Sequence, residues 1–186
     1  MNKSYSDSIQ SNNLIIPQKI LKRPTFYYDN DEFKPIRAGG IIIYKIEDNS
    51  IKLLLIRTNY NNKEMFEDIG GKTDLNDISF FNTISREVGE ETNHVINPDI
   101  ITHQLHYADS IYIPHGKYLL YVIRANNYER KLTSAHFGNK ETHDNIDRTI
   151  EWVNVDDYIN HKKNFNPRLH NNDLKKYFLN LIKVSL

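Results

Sequence analysis

Cysteine is absent from this chain of 186 residues. That excludes a disulfide framework and a thiolate metal site, and it suits an intracellular protein. Net charge is absent too, with 24 basic residues against 24 acidic ones. A neutral chain has no global field to draw nucleic acid, so only a local basic groove would serve that purpose. Long apolar runs are missing. The first residues hold only Leu14-Ile15-Ile16 among polar neighbours, so neither a signal peptide nor a membrane span is expected. A cytoplasmic location is the matching expectation. No internal repeat is found, and Trp152 is the single tryptophan.

What remains is ordinary for a folded protein: 39% hydrophobic and 26% charged residues, enough for one domain with a sizeable core. Residues 1–36 are polar and then carry Pro17, Pro24 and Pro35. They read as an arm, flexible at first and then extended, ahead of a domain over 37–186. Strands are predicted at Ala38–Ile46 and Ile51–Arg57, joined by the turn Glu47–Ser50. A polar loop is predicted over 58–68, and a helix from about Phe80 to Thr92. Further strands are expected at Ile101–Ile113, Tyr118–Ala125 and Thr149–Val155, with a long polar loop from Asn126 to Arg148. A last helix should cover Asp173–Val184, where Leu174, Phe178, Leu181 and Ile182 recur at helical spacing.

The chemistry concentrates in one stretch. Gly70-Gly71-Lys72 should close a strand, with backbone free for close approach. Arg86-Glu87-Val88-Gly89-Glu90-Glu91 begins fifteen residues after Gly71. On a helix, Glu87, Glu90 and Glu91 stand at i, i+3 and i+4 and share one face, while Phe81, Ile84 and Val88 form another. Like charges so placed repel by roughly 0.2–0.5 kcal/mol per pair. A hard divalent cation turns that repulsion into coordination.

These residues resemble the Nudix hydrolase family, whose box reads G-x5-E-x7-R-E-U-x-E-E-x-G-U, with U a bulky apolar residue. Gly71, Arg86, Glu87, Val88, Glu90 and Glu91 match it. The spacing from Gly71 to Arg86 is one residue longer, and Ser79 falls where the helix N-cap is expected. The extra residue is therefore placed in the loop Thr73–Ile78. The first glutamate of the box is then replaced by Ile78, or served out of register by Asp77. Asn93 and His94 replace the last glycine and apolar residue, and Asn tolerates the left-handed position at a helix end.

The resemblance implies a fold of the α+β class, an α/β/α sandwich with a mixed β-sheet. It implies a hydrolase that needs Mg²⁺ or Mn²⁺ and cleaves a phosphoanhydride in a nucleoside diphosphate linked to another moiety. Glu87, Glu90 and Glu91 would bind metal, with the Gly70 carbonyl and a later-loop residue, Glu141, as further ligands. Arg86 would hold a neighbouring carboxylate. Gly71, Lys72 and Tyr60 are candidates for substrate contact, Tyr60 by stacking on a base. His103, His106, His115, His136 and His143 have no regular metal-ligand spacing and read as ordinary residues. Capped RNA is an alternative substrate if Lys19, Lys22 and Arg23 line a groove with Lys162 and Lys163. A binding or regulatory module without turnover is the alternative to the enzyme.

Overall fold

The computed structural model describes residues 22–60 and 62–185. Its strands are β1 (Phe26–Tyr27), β2 (Pro35–Ile36), β3 (Ala38–Glu47), β4 (Ser50–Tyr60), β5 (Lys63–Glu67), β6 (Ile69–Lys72), β7 (Asp109–Ile113), β8 (Tyr118–Arg124), β9 (Lys140–Glu141), β10 (Ile146–Asp147) and β11 (Thr149–Asn154). Its helices are α1 (Phe80–Glu91), α2 (Pro98–Leu105), α3 (Ser134–Phe137), α4 (Val155–Ile159) and α5 (Asn172–Ser185). The start of the arm, residues 1–21, lies outside the described residues.

The main sheet runs β11-β4-β3-β8-β7. β3 and β8 are parallel, from Ala38 opposite Tyr118 to Tyr44 opposite Arg124, and the other paired strands named above are antiparallel. Strand alternation sends Ile41, Ile43, Leu119, Tyr121 and Ile123 to one face and Ile42, Tyr44, Leu120 and Val122 to the other. Both faces are apolar because both are covered. Ile84 and Val88 of α1 and Ile101 and Leu105 of α2 pack on the first face. Val155 and Tyr158 of α4 and Leu174 and Phe178 of α5 pack on the second. The protein is thus α+β, a mixed sheet between two helical layers.

Three stretches differ from the sequence expectation. The polar loop over 58–68 is a hairpin in which β4 continues to Tyr60 and β5 returns beside it. Lys63 and Glu64 on β5 are charged and exposed and only Met65 and Phe66 are apolar, so no apolar alternation marks the strand, and the pair Arg57–Glu64 at 2.6 Å helps fix the register. The first half of the expected strand 101–113 is helix α2. Asn97 caps it by accepting from the Asp99 amide, and Pro98 takes the first helical position. The loop over 126–148 contains α3, β9 and β10.

Asp48 and Asn49, at φ 50° and 55°, make the tight turn between β3 and β4. β4 stays beside β3 only from Ser50 to Leu54. Beyond that, β6 takes its place next to the first half of β3, with Gly71 opposite Gly39 and Gly70 opposite Gly40. This brings the two glycines under α1.

Candidate functional site

Ser79 stands outside the helix with an extended backbone, and its hydroxyl accepts from the Asn82 amide. α1 then runs unbroken from Phe80 to Glu91, so the extra residue of the box is accommodated before it. In that lead-in, Ile78 is 89% exposed and Asp77 is buried. The Asp77 carboxylate accepts from Arg86 Nε at 3.1 Å and Nη2 at 3.2 Å, from Thr83 Oγ1 at 2.8 Å and from the Asp74 amide at 2.7 Å. Burial alone would raise its pKa. The bonds from Arg86, Asp74 and Thr83 outweigh that and hold it below the usual carboxylate value. Of the two sequence alternatives, Asp77 is the one that meets Arg86.

Arg86 is the hub. Its Nη1 lies 2.9 Å from Glu87 Oε1 and 2.8 Å from Glu90 Oε2, and its Nη2 donates to the Lys72 carbonyl at 2.9 Å. Burial works against its charge, but the hydrogen bond to Asp77 and the charges of Glu87, Asp77 and Glu90 keep it firmly protonated. Gly71 faces Glu87 so closely that a Cβ there would fall 2.2 Å from Glu87 Oε2. Glycine therefore makes the room that this carboxylate occupies. Burial pushes the Glu87 pKa up, against the pull of Arg86.

Glu91 is pushed up to about 8, chiefly by burial and then by the charges of Glu141, Glu87 and Glu67, with Arg148 pulling the other way. Glu141 is buried on β9, and its charge acts on Glu91. Its neighbours on the same loop add two ligand-type groups, since atoms of Glu141, His143 and Asp144 lie within 4.8 Å of one another. His143 Nε2 is 3.8 Å from Glu90 Oε1, a proximity its sequence spacing did not announce. Among the described residues, Glu87, Glu90 and Glu91 do not converge to that distance. Arg86 sits between the first two and neutralises part of their repulsion.

No family model matches the chain, and neither does any curated protein. Similar solved structures include an Ap4A hydrolase of C. elegans in a binary complex, 17% identical, with 80% of this chain and 98% of that one covered and a TM-score of 0.45. Another is the NUDIX domain of Shewanella oneidensis NrtR complexed with ADP ribose, 15% identical over 78% of this chain and 88% of that one, with a TM-score of 0.49. What individual residues do here rests on the geometry of this chain alone.

Two residues have a fastening role that the sequence did not announce. Asn93 stands just past α1 at φ 52°, and its side chain binds the later loop four times. Its amide donates to the carbonyls of Phe137 and Lys140 at 3.0 and 2.8 Å. Its oxygen accepts from the Thr142 amide and hydroxyl at 2.9 and 3.0 Å. Arg148 is buried, and its guanidinium donates to the carbonyls of Phe137, Gly138 and Glu91. Together they fasten the Glu141 loop to the end of α1.

Other candidates lie apart. Lys72 is exposed, with its carbonyl on Arg86. Tyr60 ends β4, and its side chain lies outside the described residues, as does Lys19. Among the described residues, Lys22 and Arg23 do not share a hollow with Lys162 and Lys163, and capped RNA is not supported. Lys162 is 3.8 Å from Asp157 and Lys163 lies over the Phe66 ring, while Lys22 and Arg23 gather with Arg37 and Lys72 instead. No helix among the described residues is long and apolar enough to cross a membrane.

Proposed function

We propose that the protein is a divalent-cation-dependent hydrolase of the Nudix kind. Its substrate class is a nucleoside diphosphate linked through a phosphoanhydride to another moiety. The observation that carries this reading is the Glu87 carboxylate seated against the backbone of Gly71, in space only glycine leaves, with Arg86 beside it. The donor set suits Mg²⁺ or Mn²⁺: hard carboxylate oxygens from Glu87, Glu90 and Glu91, with Glu141 and the Gly70 carbonyl as further ligands. A bound divalent cation neutralises phosphate charge and makes an attacking water more acidic.

The chain's own groups do the rest. The Gly71 backbone leaves the room in which the Glu87 carboxylate sits. Glu87 takes the proton from the attacking water, as the carboxylate packed most closely on the glycine floor. Arg86, held by Asp77, keeps Glu87 and Glu90 aimed by its planar fork. Positioning and charge neutralisation of this kind make up most of phosphoryl-transfer catalysis. The departure at Ile78, which favours a binding module without turnover, is offset in this reading by Asp77, whose buried carboxylate meets Arg86.

The deciding experiment measures phosphate release from a panel of nucleotide substrates with Mg²⁺ or Mn²⁺. Glu87→Gln should keep its fold and lose at least about 10²-fold in rate, the low end for a positioned acid–base group. Calorimetry should show weaker metal binding in Glu90→Gln/Glu91→Gln. Tight nucleotide binding with no metal-dependent hydrolysis by the wild type would sink the enzyme.

A further inference from the structure

A cavity of about 550 Å³ opens where β3 begins and β6 ends. Lys22, Arg23, Arg37 and Lys72 line it with Thr25 and Thr73, and no acidic side chain among the described residues does. Among the described residues, none of the four cations has an ion-pair partner. By contrast, Arg57, Arg86 and Arg168 each pair with two or more acids. Four like charges around one hollow repel one another.

The hollow is also built. Arg37 Nε donates to Thr25 Oγ1 at 3.1 Å, which orients the guanidinium. The Arg37 amide donates to the Lys117 carbonyl at 2.8 Å, and its carbonyl accepts from the Thr73 amide at 3.0 Å. Thr73 Oγ1 donates to the Pro24 carbonyl at 2.9 Å and ties the arm to the end of β6. Strand alternation sends the side chains at 71 and 72 to opposite faces. Gly71 faces Glu87, so Lys72 and the cavity lie across β6 from the carboxylates. The two places carry opposite charge and are one residue apart.

We propose that this cavity is an anion site for an oligophosphate, a ligand with two or more phosphoryl groups, held without a metal ion. Two guanidinium forks match phosphate oxygens in pairs, and two ammonium groups add point charges. A single carboxylate would leave most of the cations uncompensated. The phosphates have two sources: the remote end of the hydrolase's own substrate, or a separate oligophosphate. Binding itself does not depend on the hydrolase reading.

The test is calorimetry of the full, metal-stripped chain with inorganic tripolyphosphate. One site per chain is expected, weakening as salt rises. Arg37→Ala/Lys72→Ala should weaken it at least about 10-fold, because charge-assisted bonds to phosphate are lost. Lys22→Ala/Arg23→Ala, on the exposed arm, should weaken it as well and covers the case in which the first variant misfolds. Lys162→Ala/Lys163→Ala should change nothing. No binding by the wild type, or equal binding in all variants, overturns the proposal. Competition between tripolyphosphate and a hydrolysed substrate assigns the site to the substrate's phosphates, and binding without competition assigns it to a separate anion. A chain that binds tripolyphosphate and hydrolyses nothing keeps this site and loses the enzyme.

Discussion

Gly71 shows how much a missing methyl group can carry. The nearest atoms to a Cβ at Gly71 are those of the Glu87 carboxylate, the free end of a side chain that can swing away. One at Gly39 meets the Phe80 ring at 2.3 Å and the Leu119 carbonyl at 2.5 Å, which cannot. Gly71→Ala should therefore melt close to wild type but lose about 10²-fold in hydrolysis, since small displacements of a reacting group cost that much. Gly39→Ala should lose about 1–3 kcal/mol of stability by overpacking. Equal melting shifts in the two, with Gly71→Ala fully active, would contradict this. Glu129 gives a second case. It is buried, accepts from the Asn126 amide at 2.8 Å, and burial raises its pKa above 4.5. Above pH 4.5 the unfolded chain has lost this proton while the folded one keeps it. Its contribution to stability therefore falls as pH rises from there through the folded pKa. Glu129→Gln should gain on wild type in urea midpoint between pH 4.5 and 7. A gap that stays constant or narrows over that range would show that burial does not govern this group.

The lead-in and α1 behave as one element. Asp77 collects Arg86, Thr83 and the Asp74 amide, while Ile78 faces solvent. Asp77→Ala should cost about 1.5–3 kcal/mol, the range for bonds to a charged group, and should slow hydrolysis by loosening Arg86. Ile78→Glu should change stability by less than about 0.5 kcal/mol, as exposed substitutions do. Rescue of Asp77→Ala by Ile78→Glu would show that the pairing belongs to the other residue. This element was legible in the sequence because its signals are local: a capping serine, an apolar stripe and carboxylates one turn apart. The β4–β5 hairpin was not, since its polar edge residues acquire their partners only when the sheet forms. For α2 the cap signal Asn97-Pro98 was present in the sequence, but the apolar residues from Ile101 to Ile113 suit a strand as well.

Across the molecule, the sheet decides which distant parts meet. The peeling of β4 from β3 admits β6, and β6 sets the glycines under α1. The strands of β3 and β8, apolar on both faces, were readable as buried runs. In the far half of the candidate site Glu141 was named as a ligand from the sequence, but His143 and Arg148 were not, because they reach α1 only through tertiary contacts. Asn93 makes that contact durable. Averaging this chain toward its resembling family would write glycine at 93 and count the change as a repair. Here it would be an amputation: the helix would keep its left-handed end, and the loop would lose four hydrogen bonds. In hydrogen exchange, Asn93→Gly should leave the amides of α1 protected while those of 139–144 exchange at least about 10-fold faster. Unchanged protection in both would mean that Arg148 suffices as the fastening. Consensus engineering treats each departure as an independent error, whereas a departure that holds a second segment in place has to be kept or exchanged together with it.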